Sequence, residues 1–223
     1  RAGHRPGRGL GARTRSGGVA KAATVHSVRI SSSGDGRTDD GTDVCGLDWV
    51  SANAQKPAVV NLSFGDSTGS FAVRDAINCL IGCNQISVVK SAGNDALDAY
   101  RDRANRANYE IVVGAMDPGT DTYASFSDFG SIITIFAPGV NVPVADKFNP
   151  GSGKLGRGTS FAAPYVAGVV ATYVGYCAAQ PPSYWCGPNA WFDKRHSTAT
   201  TDQIQGLPAG TSNYLLYSPF AAF

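Results

Sequence analysis

Ser160 stands in the stretch RGTSFAAPYVAGVV, which runs from 157 to 170. Small residues precede it, so backbone can approach its hydroxyl closely. The apolar run FAAPYVAGVVATYVGY follows and reads as a helix. The serine therefore sits at a helix N-terminus, where free N–H groups and the helix dipole favour negative charge. That setting suits a nucleophilic hydroxyl. The plain structural reading is an N-cap serine, common at any helix start. Pro164 fits both, because a proline near the first turn removes few helical hydrogen bonds. Ser160 does not stand in a GxSxG, whose one occurrence is GDSTG (65–69), which argues against an α/β-hydrolase elbow at Ser160. A free hydroxyl is a poor nucleophile and needs a base. Of the three histidines, His26 falls in a strand-like run and His196 in a polar loop, which makes both poor bases.

The elements that must position Ser160 are legible as short apolar runs. ATVHSVRI (23–30), AVVNLSF (58–64), ISVVKSAG (86–93), EIVVGAM (110–116) and IITIFAPG (132–139) are rich in β-branched residues. Near-continuous apolarity in short runs predicts strands buried on both faces. Helical patterns lie between some of them, in DVCGLDWVSANA (43–54) and FAVRDAINCLIG (71–82). Strand alternating with helix predicts βαβ units and a parallel sheet. Each strand ends in turn chemistry, and in such sheets the loops at the carboxyl ends of strands form the site.

Composition bounds the function class. The chain has 223 residues, 43% of them hydrophobic and 16% charged, with 27 Gly and 12 Pro. This is enough for one domain, 1–223, with a sizeable core. A net charge of +2 argues for neither nucleic acid nor a membrane surface. No apolar run looks long enough to span a bilayer. Residues 1–18 are basic, nearly free of apolar side chains, and read as a divergent, disordered arm. The chain begins with Arg and carries no visible signal peptide, so it reads as a processed product or a fragment. Of five cysteines, Cys177 and Cys186 flank a turn-rich loop that a disulfide could close. Cys79 and Cys83 could also pair, leaving Cys45. The cysteines imply an oxidising compartment and no zinc site. A nucleotide-binding domain is disfavoured, since GxxxxGK[ST] does not occur and the one GxGxxG, GSGKLG (151–156), does not directly follow a predicted strand.

Taken together, GTSFAAPYVAG, VVKSAGND, VVNLSFG and YASFSDFGSIITIFAPGV closely resemble the motifs of subtilisin-like serine proteases, most like the proteinase K-like branch. The resemblance covers residues 17–223 in the family's order. It implies a three-layer α/β sandwich with a mainly parallel central sheet, here lacking its first strand or strands. It implies a secreted endopeptidase, monomeric, acting on polypeptides without a cofactor. Ser160 would be the nucleophile, and Asn94 would donate its side-chain amide to the developing oxyanion. Ser63, Phe64 and Gly65, with Gly34, Asp35 and Gly36, would be two strand edges that bind an extended substrate backbone. Ser91, Ala92 and Gly93 would line the primary pocket. The structural alternatives are a Gly-Asn turn at Asn94 and ordinary strand ends elsewhere.

The resemblance fails in three places. The family's early Asp-(Thr/Ser)-Gly-Ile motif has no counterpart, so the chain reads as truncated at its N-terminus. Of the family's Gly-His-Gly-Thr-His-Val-Ala-Gly only Gly3-His4 matches; His4 lies the family distance before Val19 and is the expected base. Thr134 stands where the branch often has a calcium-binding Asp, so no metal is expected there. Without the Asp, triad enzymes lose roughly four orders of magnitude in rate. A non-catalytic peptide-binding fragment is therefore the rival expectation.

Overall fold

The computed structural model describes residues 18–31, 37–64, 70–99, 106–146, 149, 152–181, 187–192 and 199–217. Helix α1 (Asp40–Asn53) begins three residues before the expected pattern. The cause is a reciprocal cap: Asp39 Oδ1 accepts from Thr42 N at 2.9 Å, and Asp39 N donates to Thr42 Oγ1 at 3.1 Å. Helix α2 (Phe71–Gly82) starts after Ser70, whose side chain accepts from Val73 N. Between them lies β1 (Val59–Leu62), and after them β2 (Ser87–Ser91), β3 (Ile111–Asp117), β4 (Thr122–Tyr123) and β5 (Ile135–Pro138). A hairpin of β6 (Val142–Ala145) and β7 (Gly153–Gly156) leads into helix α3 (Thr159–Ala178). Strands β8 (Thr200–Thr201) and β9 (Tyr214–Leu215) follow.

The sheet runs β1-β2-β3-β5-β9-β8, with β4 paired on β3. The β1–β2, β2–β3, β3–β5 and β5–β9 pairs are parallel, as the βαβ pattern requires. Successive strand residues point to opposite faces, so each strand feeds two cores. Val89, Val113 and Ala115 pack with Ala163, Val166 and Val170 of α3. Val88, one residue away from Val89, packs with Leu47 of α1 and Ile77 and Leu80 of α2. Helices thus cover both faces, which makes the three-layer α/β sandwich.

Three expectations are corrected. The run 23–30 forms no strand ladder, although Ala23, Val25, Val28 and Ile30 are half-buried while Thr24, His26 and Arg29 are exposed. A strand needs a neighbour to hydrogen-bond, and none lies beside this run among the described residues. Cys79 and Cys83, one turn apart, are free thiols rather than a pair, and Cys83 holds the Cys79 thiol pKa up through a side-chain hydrogen bond. Cys177 is disulfide-bonded. Finally, α3 with its 20 residues is long and apolar enough to cross a bilayer by length and composition. Ala162, Ala163, Val166 and Val170 are nonetheless fully buried, and the helix packs against the sheet as a core element.

Candidate active site

Two loops at the carboxyl ends of parallel strands meet the start of α3. Ser63 and Phe64 follow β1, and Ala92, Gly93 and Asn94 follow Ser91 at the end of β2. All but the exposed Asn94 are half-buried. The N-cap of α3 is Gly158, with φ 138° and no side-chain cap. Ser160 is thus the second residue of the helix and does not cap it. A side chain at 158 would be strained there and would also approach Asn94 Oδ1 at 3.4 Å.

Ser160 and Ser63 are linked twice. Ser160 Oγ donates to the Ser63 carbonyl at 3.2 Å, and Ser63 Oγ donates to the Ser160 carbonyl at 3.0 Å. The second bond has a cause in the sequence. Pro164 has no N–H to give to the carbonyl four residues earlier, which is that of Ser160. The Ser63 hydroxyl satisfies that orphaned acceptor. Asn61 Nδ2 in turn donates to Ser63 Oγ at 2.9 Å.

Asn94 is fixed by its oxygen. Its Oδ1 accepts from Thr159 N at 2.8 Å and from Thr159 Oγ1 at 3.1 Å. That leaves the amide nitrogen as the donor end of the side chain. Thr159, fully buried, also accepts on Oγ1 from Gly93 N at 3.3 Å, with the Gly93 carbonyl 3.2 Å from the same hydroxyl. Behind this loop Asp128, 3% exposed, accepts on Oδ1 from Asp95 N at 2.9 Å and Leu97 N at 3.1 Å. Asp128 N donates to the Gly93 carbonyl at 3.1 Å. Gly93 has φ 116°, and a Cβ there would lie 2.4 Å from Asp128 Oδ2. The loop can pack this way only with glycine. Tyr123 donates to the Ser127 carbonyl beside it; burial first, and then the Asp128 charge, pushes the phenol up from its ordinary value.

The structure joins Ser63 to Ser160 and both Gly93 and Asn94 to Thr159, while Phe64, Ser91 and Ala92 stand next to these in the chain, Phe64 packing toward α1 and α2 and Ala92 toward Val112 and Phe136. His4, Gly65, Gly34, Asp35 and Gly36 lie outside the described residues. Thr159 and Asp128 are positioning groups that the sequence alone does not single out. Both stand in family-like motifs, GTS and SFSDFG, but only a fold that joins segments 65 and 33 residues apart gives them their roles.

The Thr134 hydroxyl is already engaged within the fold. Its buried Oγ1 accepts from Val112 N at 3.0 Å and lies 3.5 Å from the Arg106 guanidinium. An oxygen already engaged beside a fixed cation is a poor ligand for a second cation. Nearby Glu110 is buried, 4.0 Å from Lys90 Nζ, and burial pushes its carboxyl up while Lys90 and Arg106 pull it down.

The sequence profile described as the Subtilase family matches residues 2–181. The chain belongs to the subtilase family. This subtilase is 34% identical over 206 residues to the extracellular serine proteinase of Thermus sp. (strain Rt41A), covering 91% of the chain and 47% of that protein. It is 34% identical over 205 residues to the cuticle-degrading serine protease of Arthrobotrys oligospora, covering 92% of the chain and 48% of that protein. The chain thus spans about half the length of the curated relatives it matches. The crystal structure of a cold adapted subtilisin-like serine proteinase superposes with a TM-score of 0.76 at 33% identity, covering 90% of this subtilase and 69% of that chain.

Proposed function

We propose that this subtilase site serves a serine-type endopeptidase working through an acyl-enzyme on Ser160. The observation that carries the reading is the anchoring of Asn94 Oδ1 by Thr159, next in sequence to Ser160, so that only the amide nitrogen is left to donate. In the reaction Ser160 Oγ attacks the scissile carbonyl carbon while His4 takes its proton. The Asn94 amide and the Ser160 N–H receive the oxyanion, and loss of one such donor typically costs about 3 kcal/mol of transition-state stabilisation. The intermediate collapses to an ester, the amine leaves with the proton from His4, and water hydrolyses the ester. Ser63, Phe64 and Gly65, opposite Gly34, Asp35 and Gly36, bind an extended polypeptide as an added strand. Ser91, Ala92 and Gly93 form small walls around the primary side chain. The names of the Thermus relative and of the alkaline serine exoprotease A of Vibrio alginolyticus support secretion. In that setting Cys177 pairs with Cys186, which peptide mapping without reductant checks. The enzyme works as a monomer and needs no cofactor.

A second reading, peptide binding without turnover, is favoured by one observation: among the described residues Ser160 Oγ gives its proton to the Ser63 carbonyl. A fluorophosphonate probe separates the two. Labelling of Ser160 that disappears in Ser160→Ala supports the endopeptidase; no labelling of the folded chain refutes it.

A further inference from the structure

Arg157 links β7 to α3 and stands three residues before Ser160. It is exposed, yet its side chain is held. The guanidinium carbon lies over the Phe126 ring, 4.6 Å from its centroid. A planar, delocalised cation stacks on an aromatic face in this way. Phe126 is itself anchored. It is half-buried and packs against the core on the α3 side of the sheet. Its carbonyl accepts from Ala96 N at 3.0 Å. On either side of it, Ala124 N donates to the Ala115 carbonyl at 3.1 Å, and Ser127 Oγ accepts from Ala115 N at 3.0 Å. Those two bonds pin the segment to β3.

Stacking occupies one face of the guanidinium and leaves its edge of N–H donors, which matches a carboxylate side by side. Among the described residues no acceptor takes those donors. The cation also sits beside the positive end of the α3 dipole. That is an unfavourable place for a cation alone and a favourable one for an incoming anion. Lys154, exposed on β7, adds charge of the same sign. The Asp128 carboxylate in the neighbouring loop is taken by the Asp95 and Leu97 amides.

The place of the stack relative to Ser160 decides what it meets. In the sheet order β1-β2-β3-β5, Ser63 follows β1, Asn94 follows β2, and Phe126 lies beside β3. Phe126 and Arg157 therefore lie across Ser160 from Ser63. A polypeptide whose acyl half runs along Ser63 and Phe64 carries its amine half away from β1, over the stack.

We infer that Arg157, stacked on Phe126, selects polypeptides with Asp or Glu in the first two residues on the leaving-group side of the bond cleaved. The inference rests on the endopeptidase reading and names its substrate class.

Two capped peptides test it on the intact chain, Ala-Ala-Ala-Phe-Glu-Glu and Ala-Ala-Ala-Phe-Gln-Gln. The Phe sets the register, because the small walls of Ser91, Ala92 and Gly93 leave room for it. At low salt the Glu peptide is cleaved with a kcat/KM roughly three- to fivefold higher, the range of an exposed ion pair. The ratio falls toward one at about 1 M salt, where the Debye length is about 3 Å. Arg157→Gln brings it to one, and Arg157→Glu inverts it. The same ratios are read as Kd on the Ser160→Ala chain, where no turnover is needed. Fluorophosphonate labelling of Ser160 is read separately. If labelling fails while the Ser160→Ala chain still prefers the Glu peptide, the endopeptidase reading falls and the carboxylate subsite stands. A ratio near one at low salt, a ratio that Arg157→Gln leaves unchanged, or no binding of either peptide overturns the inference.

Discussion

Replacing Asp128 by Ala tests the idea that one buried carboxylate holds the loop carrying Asn94. Asp128 Oδ1 receives two backbone donors, Asp95 N at 2.9 Å and Leu97 N at 3.1 Å. Hydrogen bonds to a charged group contribute about 1.5–3 kcal/mol each, which gives about 3–6 kcal/mol for the pair before rehydration. Asp95 and Leu97 are exposed, so water recovers part of this once the carboxylate is gone. A net loss of about 2–3 kcal/mol is the expected outcome in urea unfolding, with the m-value unchanged. Asp128→Asn keeps an oxygen at the Oδ1 position and should lose about half as much. Hydrogen exchange locates the effect: in the Ala variant the Asp95 and Leu97 amides should exchange faster than the amides of β3. Tyr123 supplies an independent readout. Its phenol is held up first by burial and then by the Asp128 charge, so in Asp128→Asn it should titrate lower, yet still above an ordinary tyrosine. Unchanged exchange at Asp95 and Leu97, or Asn and Ala variants of equal stability, would refute the clamp.

Ser63→Ala removes the hydroxyl donor to the Ser160 carbonyl, which Pro164 has left without its helical partner. A loss of about 1–2 kcal/mol in thermal or urea unfolding is expected; no loss would show that water replaces the hydroxyl. Gly114→Ala drives a methyl to within 2.3 Å of the Phe136 ring, which is fully buried and held edge-on to Tyr123. It should destabilise by about 1–3 kcal/mol, with part of the loss recovered by Phe136→Leu in the same chain; a neutral Gly114→Ala contradicts the packing. Glu110 bears on pH. Its carboxyl is raised by burial, so the folded chain binds more protons than the unfolded one above the ordinary value of about 4.3. Stability therefore falls as pH rises through that value toward the folded pKa, and levels off beyond it. Glu110→Gln has no such proton and should flatten this fall; an identical pH profile in the variant rules out the burial account.

The sequence by itself determined the elements and the candidate chemistry. Local patterns suffice for α2, for β2 and β3 as doubly buried strands, and for the helix behind Ser160, because burial period and turn residues are written in neighbouring positions. The resemblance of GTSFAAPYVAG and VVKSAGND to the subtilase motifs named Ser160 and Asn94. Tertiary structure decided how those two are held. Thr159 grips the Asn94 carbonyl, Asp128 ties down the loop between Gly93 and Leu97, and Ser63 answers the carbonyl that Pro164 orphans. Each of these is a hydrogen bond between segments far apart in the chain, and no local pattern encodes its partner. The same reason explains why the run 23–30 forms no ladder among the described residues. Residues 23–30 have the residues of a strand, but a strand exists only when its backbone groups find a neighbour, and that neighbour is supplied by the fold rather than by the run itself.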